Sequence, residues 1–344
     1  MRIVFHREAR EVVGGPVVGN CLLLCLVLLL SLVVISESAD GTDASYRPTD
    51  EISEERPPRD NLDGSVAPNE PEPEEPESIE VGHVVPPVLD RALRRTSFDI
   101  GPQVFSFKYK EPGLMEEEGM FYGVRLGYTS RNWVPSSPEE SLPGGGMMFR
   151  AEARLAYGQV DYDGSVQDLQ TGDTSPLTVD NIDDFVFEGR LLLGSDRLGG
   201  EILNTLFTGI GYRYLYDDLS SHPAGYRRES NYLYVPLGYR FDGGHQAGWS
   251  LGFAAEYDVF IMGNQRSHFS DVGLTDMDNR QNSGYGYRAS INLQYKSKDR
   301  IVVIEPFFRY WDIDKSETER AFWGSAYEPA NETTEYGIQF IWMF

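Results

Sequence analysis

The chain has 344 residues, 54 of them acidic against 30 basic, giving a formal net charge of −24 at pH 7. That balance excludes a nucleic-acid binder, which needs clustered Lys and Arg to meet phosphates. The only cysteines, Cys21 and Cys25, share one apolar stretch near the N-terminus, so the chain beyond it carries no thiol, in keeping with an oxidising compartment.

Composition then divides the chain into two materials. All of the aromatic Phe, Trp and Tyr residues except Phe5 and Tyr46 lie beyond Ser97, whereas 9 of the 20 prolines lie between Glu37 and Asp90. Arg2, Arg7 and Arg10 precede an uncharged run over 12–36 whose core, at 21–35, reads CLLLCLVLLLSLVVI and is followed by Ser36, Ser38 and Ala39. A charged start, an apolar core and a small-residue exit predict a secretory signal peptide over 1–38. The run is also long enough for an uncleaved anchor. Asn20 and Leu24 stand before the two cysteines, where a lipoprotein signal requires a small residue, so no lipidation is expected.

Residues 39–96 read as a disordered, acidic, Pro-rich linker. From Glu37 to Asp90 there are 16 acidic residues against Arg47, Arg56 and Arg59. Like charges alternating with proline bury too little apolar area to offset the entropy of ordering. An extended, solvated tether in the periplasm follows, with an envelope partner as the interaction such a segment would serve.

Over 97–344 the dominant period is two. Trp249, Leu251, Phe253, Ala255, Tyr257, Val259 and Ile261 alternate with Ser250, Gly252, Ala254, Glu256 and Asp258, and the same alternation runs through 147–157 and 285–296. Ten strands are expected, over 98–109, 118–131, 147–161, 182–193, 201–216, 229–242, 247–261, 283–297, 300–314 and 333–344. Short connections at 194–200, 242–246 and 296–300 alternate with longer polar ones at 162–181, 217–228, 262–282 and 315–332, while 132–146 is long where a short turn belongs. Short turns alternating with long loops, an even strand number and Tyr or Trp at strand ends, such as Trp249, Tyr285, Tyr287, Tyr295, Tyr310 and Trp342, predict an all-β, ten-stranded antiparallel transmembrane β-barrel. Its outside meets lipid, and both its ends lie in the periplasm.

The chain ends with Tyr336, Ile338, Phe340, Trp342 and Phe344 on one phase of the last strand. This resembles the C-terminal strand of bacterial outer-membrane β-barrel proteins, which ends in an aromatic residue and is read by the barrel assembly machinery. The resemblance implies an outer-membrane location, with outer-membrane lipid and that machinery as partners. At family level it extends to small outer-membrane barrels, including ten-stranded proteases of the omptin type.

The inward phase is expected to hold Arg125, Arg150, Arg154, Arg190, Arg213, Arg240, Arg288 and Arg309 with Glu152, Glu188, Glu256, Asp258 and Glu305. Opposite charges confined together should pair and plug the lumen, since either alone is costly. Omptin-like proteolysis would draw on carboxylate pairs at strand ends: Asp161 with Asp163, Asp183 with Asp184, Asp217 with Asp218, and Asp312 with Asp314. The loop holding His268 and Asp271 lacks the Asp-x-His order that the resemblance requires. His222 and His245 have no second ligand at a metal-binding spacing, and no phosphate loop or nucleophile elbow is present. No cofactor, metal site or catalytic residue is expected. The reading is a non-enzymatic barrel with a structural or surface-interaction role, with a narrow, porin-like solute channel as the alternative and an omptin-like protease after it.

Overall fold

The computed structural model describes residues 2–3, 94–135, 143–168, 171–244, 248–297 and 300–344. The segments expected to be a signal peptide (1–38) and a linker (39–96) fall almost wholly outside the described residues, as do His245 and parts of the expected turns at 132–146, 242–246 and 296–300. Arg2–Ile3 pair with Asp168 and Gln167.

Ten long strands build the domain: β1 (Thr96–Glu111), β2 (Met115–Pro135), β3 (Pro143–Asp168), β4 (Thr174–Gly199), β5 (Ile202–Asp218), β6 (Arg227–Gly244), β7 (Trp249–Ser267), β8 (Gly284–Ser297), β9 (Arg300–Ile313) and β10 (Asn331–Met343). Each pairs antiparallel with its neighbour in the chain, and β10 pairs with β1, closing an all-β barrel. At the seam the Phe98 N–H donates to the Phe344 carbonyl at 3.2 Å, and the Phe344 N–H donates back at 2.8 Å. Closure is what lipid demands, because an open edge would leave a row of backbone polar groups unsatisfied in hydrocarbon.

Thr96 and Phe344 share one end, here the terminal end; the opposite, loop end carries the longer connections. Two expected connections prove to be strand. β3 and β4 continue as a hairpin as far as Gln167 opposite Thr174, where a loop over 162–181 was expected. A bulge interrupts it, with Asn181 at φ 58° and its N–H donating to Asp161 at 3.0 Å. Likewise β2 and β3 stay paired through Val134 opposite Gly145, which shortens the connection expected over 132–146. In both places polar or Gly- and Pro-rich sequence hides the strand, because beyond the bilayer the outer face no longer needs to be apolar.

The outward phase carries Val124, Leu126, Leu155, Leu191, Leu193, Ile210, Leu251, Ile291 and Phe340 as exposed apolar side chains. Aromatic residues bound this band, with Trp249 packed at a tilt on Tyr295 (ring centroids 4.7 Å apart) towards the terminal end and Tyr287 near Tyr310 (4.9 Å) towards the loop end. The ten residue steps from Tyr285 to Tyr295 span roughly 33 Å of strand, which a tilt of about 40° reduces to about 25 Å, the height of a barrel's hydrocarbon belt.

Closure also depends on Gly101. A Cβ there would lie 1.8 Å from the Phe340 carbonyl oxygen and 2.9 Å from the Ile341 Cα, both backbone atoms of the partner strand. Gly101→Val should therefore wedge the β1–β10 seam and abolish the heat-dependent gel shift of the refolded barrel. A normal shift would show that the seam tolerates displacement.

Candidate functional site

The lumen is the site, and it is filled in three levels. Nearest the terminal end, the Arg150 guanidinium lies 2.8 Å from Asp99 and 2.6 Å from Glu152, and Arg125 bonds Glu152 at 2.7 Å. Arg190 reaches Glu256 at 2.6 Å, Arg240 pairs with Asp242 at 3.0 Å, and Gln339 donates to Glu305 at 2.6 Å. All of these but Asp242 line a cavity of about 150 Å³.

At mid-height the pairing is denser. Glu335 accepts both terminal nitrogens of Arg154 at 2.9 Å each, Arg309 at 3.1 Å and Arg213 at 3.2 Å. Glu188 accepts Arg154 at 2.7 Å, Arg288 at 2.5 Å and the Tyr234 hydroxyl at 2.6 Å, while Arg288 also holds Asp258 at 2.7 Å. The Arg213 guanidinium stands over the Tyr232 and Trp311 rings at 6.0 and 5.8 Å, a cation–π arrangement that uses the face its ion pair leaves open. With apolar side chains outside and a hydrogen-bonded charge network inside a sealed sheet, the two phases face lipid and lumen respectively. The chain is a transmembrane β-barrel of outer-membrane type.

Towards the loop end of the barrel the lining changes character. Phe105, Phe107, Tyr109, Phe121, Val160, Tyr162, Ile182 and Val186 point inward and pack into one buried cluster that continues to Tyr226 and Phe269 in the loops. Phe107 packs on Phe121 with ring centroids 4.5 Å apart. Beside them Arg228 binds Asp217 at 2.7 Å, Glu111 at 2.8 Å and Glu117 at 3.2 Å, and Tyr109 donates to Glu328 at 3.1 Å. Burial pushes the Glu328 carboxyl up to about 8; the Glu111 charge acts in the same direction and Arg228 against it. In the loops, Asp271 accepts the Arg227 backbone N–H and two guanidinium nitrogens at 2.8 to 3.1 Å, and these bonds hold its carboxyl below the usual range.

All thirteen charged residues named from the sequence face the lumen, each within 4.0 Å of an opposite charge. Tyr336, Phe340, Trp342 and Phe344 project outward and exposed, with Ile338 on the same phase. Of the paired acids of the sequence only Asp184 and Asp217 meet inside the lumen, as cross-strand partners. Asp161 and Asp163 both point outward, Asp161 serving the bulge at Asn181, and Asp183 bonds the Tyr157 hydroxyl and Gln159 on the outer face. His268 contacts Glu229 at 2.6 Å, and Asp271 is taken by Arg227.

Glu335, Asp99, Glu111, Glu117, Asp184, Asp217, Arg228 and Glu328 are lumen groups that the sequence reading did not gather into the network. Glu335 was within reach, since it alternates with Tyr336 on a strand whose outward phase is evident. Asp184 and Asp217 were visible only as members of acidic doublets, whose other halves, Asp183 and Asp218, face out.

Neither a family model nor a curated protein sequence matches this chain. Among solved structures it is similar to the outer membrane protein OprG from Pseudomonas aeruginosa (12% identity, TM-score 0.30, covering 73% of this chain and 97% of that one). It is also similar to the Pseudomonas putida toluene transporter TodX (9%, 0.29, 76% and 92%) and to Neisserial surface protein A (9%, 0.29, 71% and 95%). At these values the barrel's strand count and lining stand on its own geometry.

Truncating Glu335 takes the carboxylate partner from Arg213 and Arg309 and one of two from Arg154, all in a buried interior. Breaking a buried ion pair by removing one partner costs about 3–5 kcal/mol, so Glu335→Ala should lower the unfolding free energy of the detergent-folded barrel by that amount and Glu335→Gln by less. Denaturant titration followed by tryptophan fluorescence measures it, and equal stability of all three chains would contradict the network's role.

Proposed function

We propose that this outer-membrane barrel is a non-conducting surface protein, with its terminal end and acidic linker in the periplasm and its loop end presented outside for structural or surface contacts. The observation that carries the reading is the apolar seal across the loop half of the lumen, where Phe105, Phe107, Phe121, Val160 and Val186 are each at most 1% exposed. A water path would have to displace closely packed rings as well as break the mid-height ion pairs. The loop end supports a contact role: a two-stranded hairpin, Glu319–Ala321 with Gly324–Ala326, holds Phe322 at its tip, 87% exposed on a polar surface. An exposed aromatic at a polar hairpin tip suits recognition of another surface. Of the carboxylates that an omptin-like mechanism would use, Asp161, Asp163 and Asp183 point outward, while Asp184 and Asp217 are buried beside Arg228, so no hydrolytic step is assigned to them.

The second reading, a narrow solute channel, draws its support from the arginine-lined cavity of about 150 Å³ near the terminal end. The two readings separate in planar bilayers. Purified, folded protein should give no discrete conductance steps, and reproducible steps that scale with salt would establish the channel instead.

The last strand adds a reading of assembly. Tyr336, Ile338, Phe340, Trp342 and Phe344 serve as the signal for the barrel assembly machinery, supported by their shared outward phase and by the backbone bonds that tie Phe344 to Phe98. Removing Phe344 costs a few kcal/mol at most, about the value of one half-buried aromatic. The truncated chain should refold in detergent nearly as well as the full chain, yet fail to accumulate in the outer membrane of cells. Normal outer-membrane levels on fractionation would remove the signal reading.

A further inference from the structure

Three acids meet inside the loop end of the barrel: Glu117 from β2, Asp184 from β4 and Asp217 from β5. Each offers a carboxylate oxygen, and these oxygens all lie within 4.8 Å of one another. Their side chains are buried, at 2%, 1% and 3% exposure. They stand at the level where the outer face turns from Tyr157 and Phe185 to Gln159 and Asp183, just past the hydrocarbon belt.

Two features set this cluster apart from the ion-paired levels below it. The first is charge. Glu111, Glu117, Asp184, Asp217 and Glu328 are five buried acids, and among the described residues Arg228 is the one cation bonded among them. Asp184 and Asp217 are also direct cross-strand partners, a placement in which like charges repel. The second is hydrogen bonding. Arg228 takes one oxygen each from Glu111, Glu117 and Asp217, but neither oxygen of Asp184 has a partner, and Asp217 Oδ1 has none either. The Asp218 backbone N–H faces Asp184 without meeting hydrogen-bond geometry. An unpartnered carboxylate at 1% exposure, aimed at two others, is expensive as it stands.

We infer that Glu117, Asp184 and Asp217 form a binding site for a hard divalent cation, calcium above all. The donors are oxygen only, the chemistry that selects calcium or magnesium over transition metals. Calcium ligands sit about 2.4 Å from the ion, so a pair on opposite sides is about 4.8 Å apart, and calcium tolerates the irregular shell that three unequal strands provide where magnesium demands an octahedron. The ion offsets the acidic excess that Arg228 leaves and ties β2, β4 and β5 together beneath the loops. The inference is independent of whether the lumen conducts.

The test uses the full chain, folded in detergent and stripped of metal with a chelator, then titrated with calcium chloride or magnesium chloride by calorimetry and by thermal melting. One calcium isotherm with a raised melting midpoint is expected, with magnesium weaker. Asp184→Asn should abolish both responses while keeping the heat-dependent gel shift, and should melt above the stripped wild type because one uncompensated charge is gone. Asp183→Asn, on the outer face of the same strand, should bind as wild type does and so reports on adventitious surface binding. If Asp184→Asn does not fold, Glu117→Gln replaces it. The inference is overturned if folded wild type shows neither heat nor a melting shift with either ion, as it would if the acids simply retained protons. Unchanged binding in the folded lumen variants would overturn it too.

Discussion

A charge at mid-height in this barrel, such as Arg213 or Glu335, has no bulk water to turn to, so it must be met by another group of the same chain. That requirement organises the lumen. Arginine dominates the inward phase because its planar guanidinium bonds two or three carboxylates at once. Arg288 joins β8 to carboxylates on β4 and β7, and Glu335 gathers arginines from β3, β5 and β9. Some of these bridges join adjacent strands, as Arg309 does with Glu335, and others cross the lumen, as Arg288 does to Glu188 and Arg154 to Glu335, so the side chains brace the barrel internally while the backbone bonds close it. A charged interior and a filled interior are here one property.

Along its axis the barrel changes the rule by which it is built. Within the belt, apolar side chains face out to lipid and charges face in, as at Leu155 and Arg154 on β3. Past the belt, on the same strands, the rule reverses. Val160 and Tyr162 of β3 face in while Asp161 and Asp163 face out, and on β1 Phe105, Phe107 and Tyr109 face in while Lys108 and Lys110 face out. Water outside a barrel asks for an apolar core, as in any soluble β-barrel, and the β3–β4 extension obeys water rather than lipid. The seal is the consequence of strands that outrun the bilayer.

That reversal also sets what was legible in the sequence. Ten strands, their closure as an even-numbered barrel and the inward charges could be read wherever alternation had one meaning, as from Trp249 to Ile261. The filled loop half could not, because Phe105, Phe107 and Tyr109 alternate as cleanly as lipid-facing residues would, and period alone does not say which solvent lies outside. The acids of the loop end were hidden for another reason. Asp183–Asp184 and Asp217–Asp218 read as solvated doublets, yet strand geometry sends one member of each to opposite faces, and only the register that places Asp184 beside Asp217 turns two such halves into a cluster. Their meeting with Glu117 depends on curvature across β2, β3 and β4, which no local pattern carries.

The central claim is that the lumen opens towards the terminal end and is sealed towards the loops. It can be tested with a single cysteine at Ser290, which lines the terminal-end cavity, in a chain whose Cys21 and Cys25 are replaced by serine. The protein is inserted into lipid vesicles whose orientation is reported by proteolysis of the acidic linker, and a small, charged, membrane-impermeant thiol reagent is added from one side at a time. The account predicts labelling of Ser290→Cys from the terminal side only. Labelling at comparable rates from both sides would show a continuous aqueous path and contradict it.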